Sequence, residues 1–136
     1  MIDHDLESAF CAVLKADDQL SAVHFFSGLD DENHKLPAVT VISKSETLAG
    51  SAEVFRAELE FRIEHHAKDH TPDEHAAIVG RVRALLGAKT DMLAALNAGS
   101  SVQVCGYAVA GSGQETDGEK FLTMITVKAG YRVPAN

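Results

Sequence analysis

Three observations predict an α+β fold: a two-layer, mainly antiparallel sheet of about four strands with an N-terminal helix and a central helix packed on one face. Phe55, Ala57, Leu59, Phe61 and Ile63 alternate with Arg56, Glu58, Glu60, Arg62 and Glu64, the period of a strand with one buried and one charged face. Thr71-Pro72-Asp73-Glu74 joins a capping threonine, a proline suited to the first helical position and a glutamate that closes a capping box, so a helix starts there. Strand and helix signals do not repeat as βαβ units, which argues against a doubly wound parallel sheet.

Taken in order, Leu6, Phe10, Val13 and Leu14 recur at helical spacing and Asp3, Asp5 and Glu7 load the first turn. Carboxylates there face the positive end of the helix dipole, so residues 4–16 read as an amphipathic helix. The short apolar piece Ala22–Phe26 is followed by a polar run, Gly28–Lys35, that reads as an exposed loop. Leu36-Pro37 marks the start of the β-branched strand Ala38–Ile42. Residues 43–53, rich in Ser, Thr, Ala and Gly, are a loop or a long hairpin arm, and the alternating strand over 54–66 comes next.

The helix opened at Thr71 carries the stripe Ala76, Val79, Val82, Leu85 and Leu86, with Gly87 as its expected C-terminal cap. A second helical piece spans Asp91 to Ala98 and stops at Gly99-Ser100-Ser101. Two strands close the chain, Val102–Ala110 and Phe121–Val133. The polar connection between them, residues 111–119, contains Asp117-Gly118, a dipeptide suited to a tight turn. In the last strand Phe121, Thr123, Ile125, Val127 and Tyr131 share one face.

The 136 residues are 46% hydrophobic, and 12 Lys and Arg stand against 20 Asp and Glu, a formal charge of −8. A chain of this length buries enough surface for one core, so a single domain over residues 1–136 is expected. Without a basic block, an electrostatic grip on nucleic-acid phosphates or an anionic bilayer is disfavoured. The apolar runs fall well short of the ~18–20 residues that span a membrane, and the acidic start lacks the basic region of a signal peptide, so a soluble protein made in the cytosol is expected. Cys11 and Cys105 form neither a disulfide framework nor a CxxC site and read as small buried or half-buried residues.

The strongest candidate for chemistry is the cluster His65, His66, His70 and His75, beside Asp69, Asp73 and Glu74. His, Asp and Glu are the usual ligands of zinc and similar ions. His65 and His66 point to opposite strand faces, however, His70 falls in the turn, and no pair has the spacing of HExxH on one helix. The cluster therefore reads as a polar strand-to-helix corner in preference to a metal site. GxSxG, GxxxxGK[ST] and a strand-linked GxGxxG are all missing, and Asp17-Asp18 and Asp30-Asp31 lie in polar loops. The expectation is a protein that is not an enzyme, with no catalytic, cofactor-binding or metal-binding residue assigned. The polar excursions 43–53 and 111–119 are expected to meet other chains, as loops held by a rigid sheet often do.

In the order of its elements the chain resembles the tail terminator, or tail-completion, proteins of long-tailed bacteriophages. The resemblance is carried by the helix Asp5–Ala16, the segment Leu36–Val41, the strand Phe55–Ile63, the helix Asp73–Leu86 and the final strand Lys120–Arg132. It covers nearly the whole chain and is one of order and spacing. It implies a structural role in the virion, in the tail or neck: a homo-oligomeric ring, typically a hexamer, that ends polymerisation of the tail tube and meets the head-side connector protein. DNA would pass the lumen without specific binding, for which an acidic subunit is suited. In that setting the charged face Arg56–Glu64 lines the lumen or a subunit interface, and the excursions touch the tube or a neighbouring subunit. Two other readings are a head-completion or neck adaptor of the same virion, and a small cytosolic metal- or ligand-binding domain using the cluster from His65 to His75.

Overall fold

The structure is a computed structural model that describes residues 2–28, 35–48, 54–99, 103–116 and 118–132. Its elements are α1 (Ile2–Lys15), β1 (His24–Ser27), β2 (Ala38–Leu48), β3 (Val54–His66), α2 (Pro72–Gly87), α3 (Lys89–Gly99), β4 (Gln103–Thr116) and β5 (Lys120–Arg132), with one 3-10 turn, Asp18–Leu20, after α1. The chain adopts the expected α+β fold.

Among the described residues the sheet has five strands in the order β1-β2-β3-β5-β4, one more than the expected four or so. The additional strand is β1, which starts in the apolar piece read at 22–26, runs one residue past it and pairs in parallel with the start of β2, His24 to Ala38 and Ser27 to Val41. All other pairings are antiparallel. β3 and β5 form its centre, in register from Val54↔Arg132 to His66↔Lys120. Beyond Ser43 the chain continues as β2, paired through Leu48↔Phe55, so residues 43–48 belong to a hairpin arm; residues 49–53 lie outside the described residues. The connection expected at 111–119 is likewise mostly strand, since β4 and β5 stay paired out to Thr116↔Phe121. Gly118 takes φ 85°, a left-handed conformation that a side chain would strain, in the turn where Asp117-Gly118 was expected; Asp117 lies outside the described residues.

The helices cover the face to which β3 turns Ala57, Leu59, Phe61 and Ile63, all buried. Leu6, Phe10 and Leu14 form the stripe of α1; the Phe10 ring stands edge-on to Phe61 at 5.3 Å and to Tyr107 at 5.9 Å, an arrangement that aromatic quadrupoles favour. The Tyr107 hydroxyl donates to the Leu86 carbonyl at the end of α2, so one buried side chain joins β4, α1 and α2. Two expected helix features are corrected. The buried stripe of α2 is His75, Val79, Val82 and Leu86, while Ala76 is exposed and Leu85 half-buried, a rotation of about one position. Gly87 stays inside α2, and the break before α3 falls on Ala88 at φ −81°, ψ 66°, so the turn needs no left-handed residue.

Candidate functional site

The histidines identified in sequence are brought together in part. His65 follows Ile63 on the buried face of β3, and His75, in the first turn of α2, reaches down to it; the two Nδ1 atoms lie 2.6 Å apart. His75 Nε2 is 2.8 Å from Thr123 Oγ1 on β5. The His70 ring stands edge-on to His65 at 4.9 Å, and its Nδ1 is 3.3 Å from Glu74 Oε2. His66, on the opposite strand face, is exposed and outside the cluster. The capping box that places His75 forms as expected: Glu74 N–H donates to Thr71 Oγ1 and Thr71 N–H donates to Glu74 Oε1.

A 2.6 Å separation of two ring nitrogens is a hydrogen bond with one shared proton. With that proton on His65, His75 carries its own on Nε2 and donates to Thr123. With it on His75, Nε2 accepts from the Thr123 hydroxyl. Both arrangements keep the two bonds, His65 to His75 and His75 to Thr123. Burial holds both imidazoles below the usual histidine range, His65 at about 4, with the nearby His75 and His70 adding to the effect there.

Hydroxyl, imidazole and imidazole in a row have the connectivity of an activated nucleophile, but Thr123 is completely buried, so no substrate reaches its oxygen in this conformation. Nor is the pair a chelate: nitrogens on a tetrahedral zinc at ~2.0–2.1 Å would lie roughly 3.3 Å apart. Among the described residues no group of three or more His, Cys, Asp or Glu is placed to hold a metal. A cleft of about 390 Å³ opens beside the pair, between the start of α2 and the β4–β5 hairpin, lined by Asp73, His75, Glu115, Phe121 and Thr123.

The charged face of β3 is a set of local pairs. Arg62 Nε lies 2.5 Å from Glu60 Oε2, Lys44 Nζ 3.7 Å from Glu60 and Lys120 Nζ 3.5 Å from Glu64. Thr40 and Ile42, opposite Arg62 and Glu60 in the register, are buried although they lie on the face away from the helices. The cysteines differ from expectation in one respect. Cys11 is half-buried with its Sγ 3.3 Å from the Phe26 carbonyl oxygen, but Cys105 is exposed, since it falls at a bulge of β4.

The strand expected at Val102–Ala110 is β4, but it continues through 111–116, where the sequence predicts a polar connection. Its residues are exposed without interruption from Ala108 to Thr116, and no charged residue or proline occurs between Gln103 and Gln114. Val109 is exposed at 45%. At the Val104 end, Asn97 of α3 bonds both backbone groups of that residue. The long polar-and-glycine composition was the available signal, but it points equally to a loop.

No family model matches the chain, and no curated protein does. Matches to solved structures number 26 chains. One of them, whose name describes no activity, superposes with a TM-score of 0.53 at 15% identity over 99% of this chain and 94% of its own. That likeness is one of fold. Among the described residues no helix is long and apolar enough to cross a membrane.

Proposed function

We propose that this protein is a structural component of a long-tailed phage virion, a tail terminator whose copies close into a ring on the tail tube. By the resemblance of its element order the ring is a hexamer, it ends tube polymerisation, it meets the head-side connector, and DNA passes its lumen unbound. The observation that carries the reading is the β4–β5 hairpin. Sheet edges that are not used for pairing are protected by lysines, prolines or a covering element. β4 has two bulges and the Asn97 clasp near one end, but its outer half carries no charge up to Gln114 and remains exposed. Such an edge suits a neighbouring subunit. The ion pairs on β3 fit the same role, because a surface with its cations paired to its own carboxylates offers phosphates little to bind.

The test is assembly. The full chain, alone and mixed with tail tubes, is measured by size-exclusion with light scattering and by electron microscopy, beside a variant lacking residues 112–118. The full chain forms a ring-sized particle, free or on tube ends. The deletion remains folded by circular dichroism and does not assemble. A full chain that is monomeric and leaves tubes uncapped sinks the proposal, and so does a deletion variant that caps as well as wild type.

A further inference from the structure

We propose that the His65–His75 pair is an acid-opened latch that fastens the start of α2 to the sheet. Its position makes it a latch. From Thr71 to Ala77 every residue except His75 is exposed, so His75 is the one side chain through which the first turn of α2 is anchored. The next buried anchor is Val79, a full turn later. His75 grips two strands at once, β3 through His65 and β5 through Thr123. Farther along α2, Arg83 Nη2 donates to Ser112 Oγ on the β4 arm at 2.9 Å, an exposed contact.

The proton count makes the latch sensitive to acid. The neutral pair holds two protons, one of them shared between the Nδ1 atoms; a third, taken up at an Nε2, makes one cation and leaves that bond in place, and a fourth sets two N–H groups face to face across 2.6 Å on two cations. The groups around the pair offset little of that charge: the exposed Glu74 favours a charged His65, but burial and the neighbouring imidazoles outweigh it. From β5 come the neutral Thr123 and the Phe121 ring, 5.9 Å from His75. From the turn before α2 comes a third imidazole, His70, itself held by the exposed Glu74. The carboxylates of Asp73 and Glu115 lie at the cleft wall and are exposed. They become partners for His75 only when its ring leaves His65 and turns into the cleft, so protonation favours the open state by adding charge to one state and giving it acceptors in the other. Release of the first turn frees the face of β5 beneath it and the turn end of the β4–β5 hairpin. This inference stands apart from the ring assembly and holds whether or not copies associate.

The test uses the full chain at natural sequence. Histidine ring nitrogens are followed by long-range ¹H–¹⁵N NMR from pH 8 to 3.5, and amide protection factors, corrected for intrinsic exchange, are measured across the same range. At pH 8 the pair shows one shared Nδ1 proton. Below pH 6 protection at residues 73–78 and 121–123 falls at least about tenfold in step with ring protonation, while Leu59, Phe61 and Leu14 keep theirs. In the variant His65→Phe with His75→Leu the local fall disappears; if that variant does not fold, the wild-type titration decides alone. Protection that is unchanged when the rings protonate overturns the latch. A loss spread evenly over the whole core also overturns it, since that is global unfolding.

Discussion

The side-chain amide of Asn97 faces both backbone groups of Val104: Oδ1 accepts from the N–H at 2.7 Å and Nδ2 donates to the carbonyl at 3.1 Å. An α3 side chain thereby takes the place of a sixth strand at one point on the β4 edge. Asn97→Ala removes both bonds. Because Asn97 is exposed and water can replace part of what is lost, the expected cost is about 1 kcal/mol. Asn97→Asp keeps an acceptor for the N–H but turns a carboxylate toward the carbonyl, so it costs at least as much. Urea unfolding with an unchanged m-value measures both. An alanine variant as stable as wild type would show that solvent serves this edge as well as Asn97 does.

The two cysteines should separate cleanly by reactivity. Burial, with the Glu7 carboxylate adding to it, pushes the Cys11 thiol up to about 12, so its thiolate is scarce at pH 8. Cys105 is exposed. A thiol reagent at pH 8 therefore modifies Cys105 in the native protein and reaches Cys11 only in denaturant. Cys105→Ser abolishes the fast phase. A fast phase that survives in that variant would place Cys11 outside the core.

What could be read in the sequence follows from where each element meets solvent. β3 was legible because one face packs on helices and the other bears charges, so its alternation from Phe55 to Glu64 is complete. The same parity places His65 on the buried face, and His75 precedes Val79, Val82 and Leu86 at helical spacing. The meeting of the two histidines was therefore latent in the pattern, hidden because histidine is not counted among apolar residues. β1 escaped because a short strand paired in parallel with a distant segment has no hairpin turn to announce it. The outer half of β4 escaped for the opposite reason: it is exposed on both faces, so backbone pairing with β5 holds it and its side chains carry no period.

Tyr107 tests the junction of β4, α1 and α2. Tyr107→Phe keeps the edge-on contact with Phe10 but leaves the buried Leu86 carbonyl without its donor. A loss of about 1–2 kcal/mol is expected. Tyr107→Leu also removes ring packing and should lose about 3 kcal/mol or more. Equal losses for the two variants would mean that the hydroxyl, and not the ring, carries the residue's contribution.

The ion pair between Arg81 and Asp17 fixes the lower end of the pH profile. Arg81 donates through Nε at 2.9 Å and Nη2 at 2.6 Å to the two oxygens of Asp17, tying α2 to the turn that follows α1. Those hydrogen bonds hold the Asp17 carboxyl below its usual range, and the Thr71 backbone does the same for Glu74 in the capping box, with His70 adding to it. A carboxylate with a depressed folded-state pKa stabilises above its unfolded value and loses that contribution as pH falls through the folded one. The histidines act in a higher window. Buried neutral, with His65 at about 4, they cost nothing above about 6.5, and stability falls from there toward 4 as the unfolded chain takes up protons. Urea midpoints between pH 7 and 2.5 should therefore fall in two stages, an upper one from the histidines and a lower one, below about 4, from Asp17 and Glu74. Asp17→Asn is expected to lower the midpoint at pH 7, leave the upper stage intact and converge on wild type at the acid end, where wild-type Asp17 is protonated as well. A constant offset between the two proteins down to pH 2.5 would mean that the residue acts through its neutral contacts and that its charge contributes nothing.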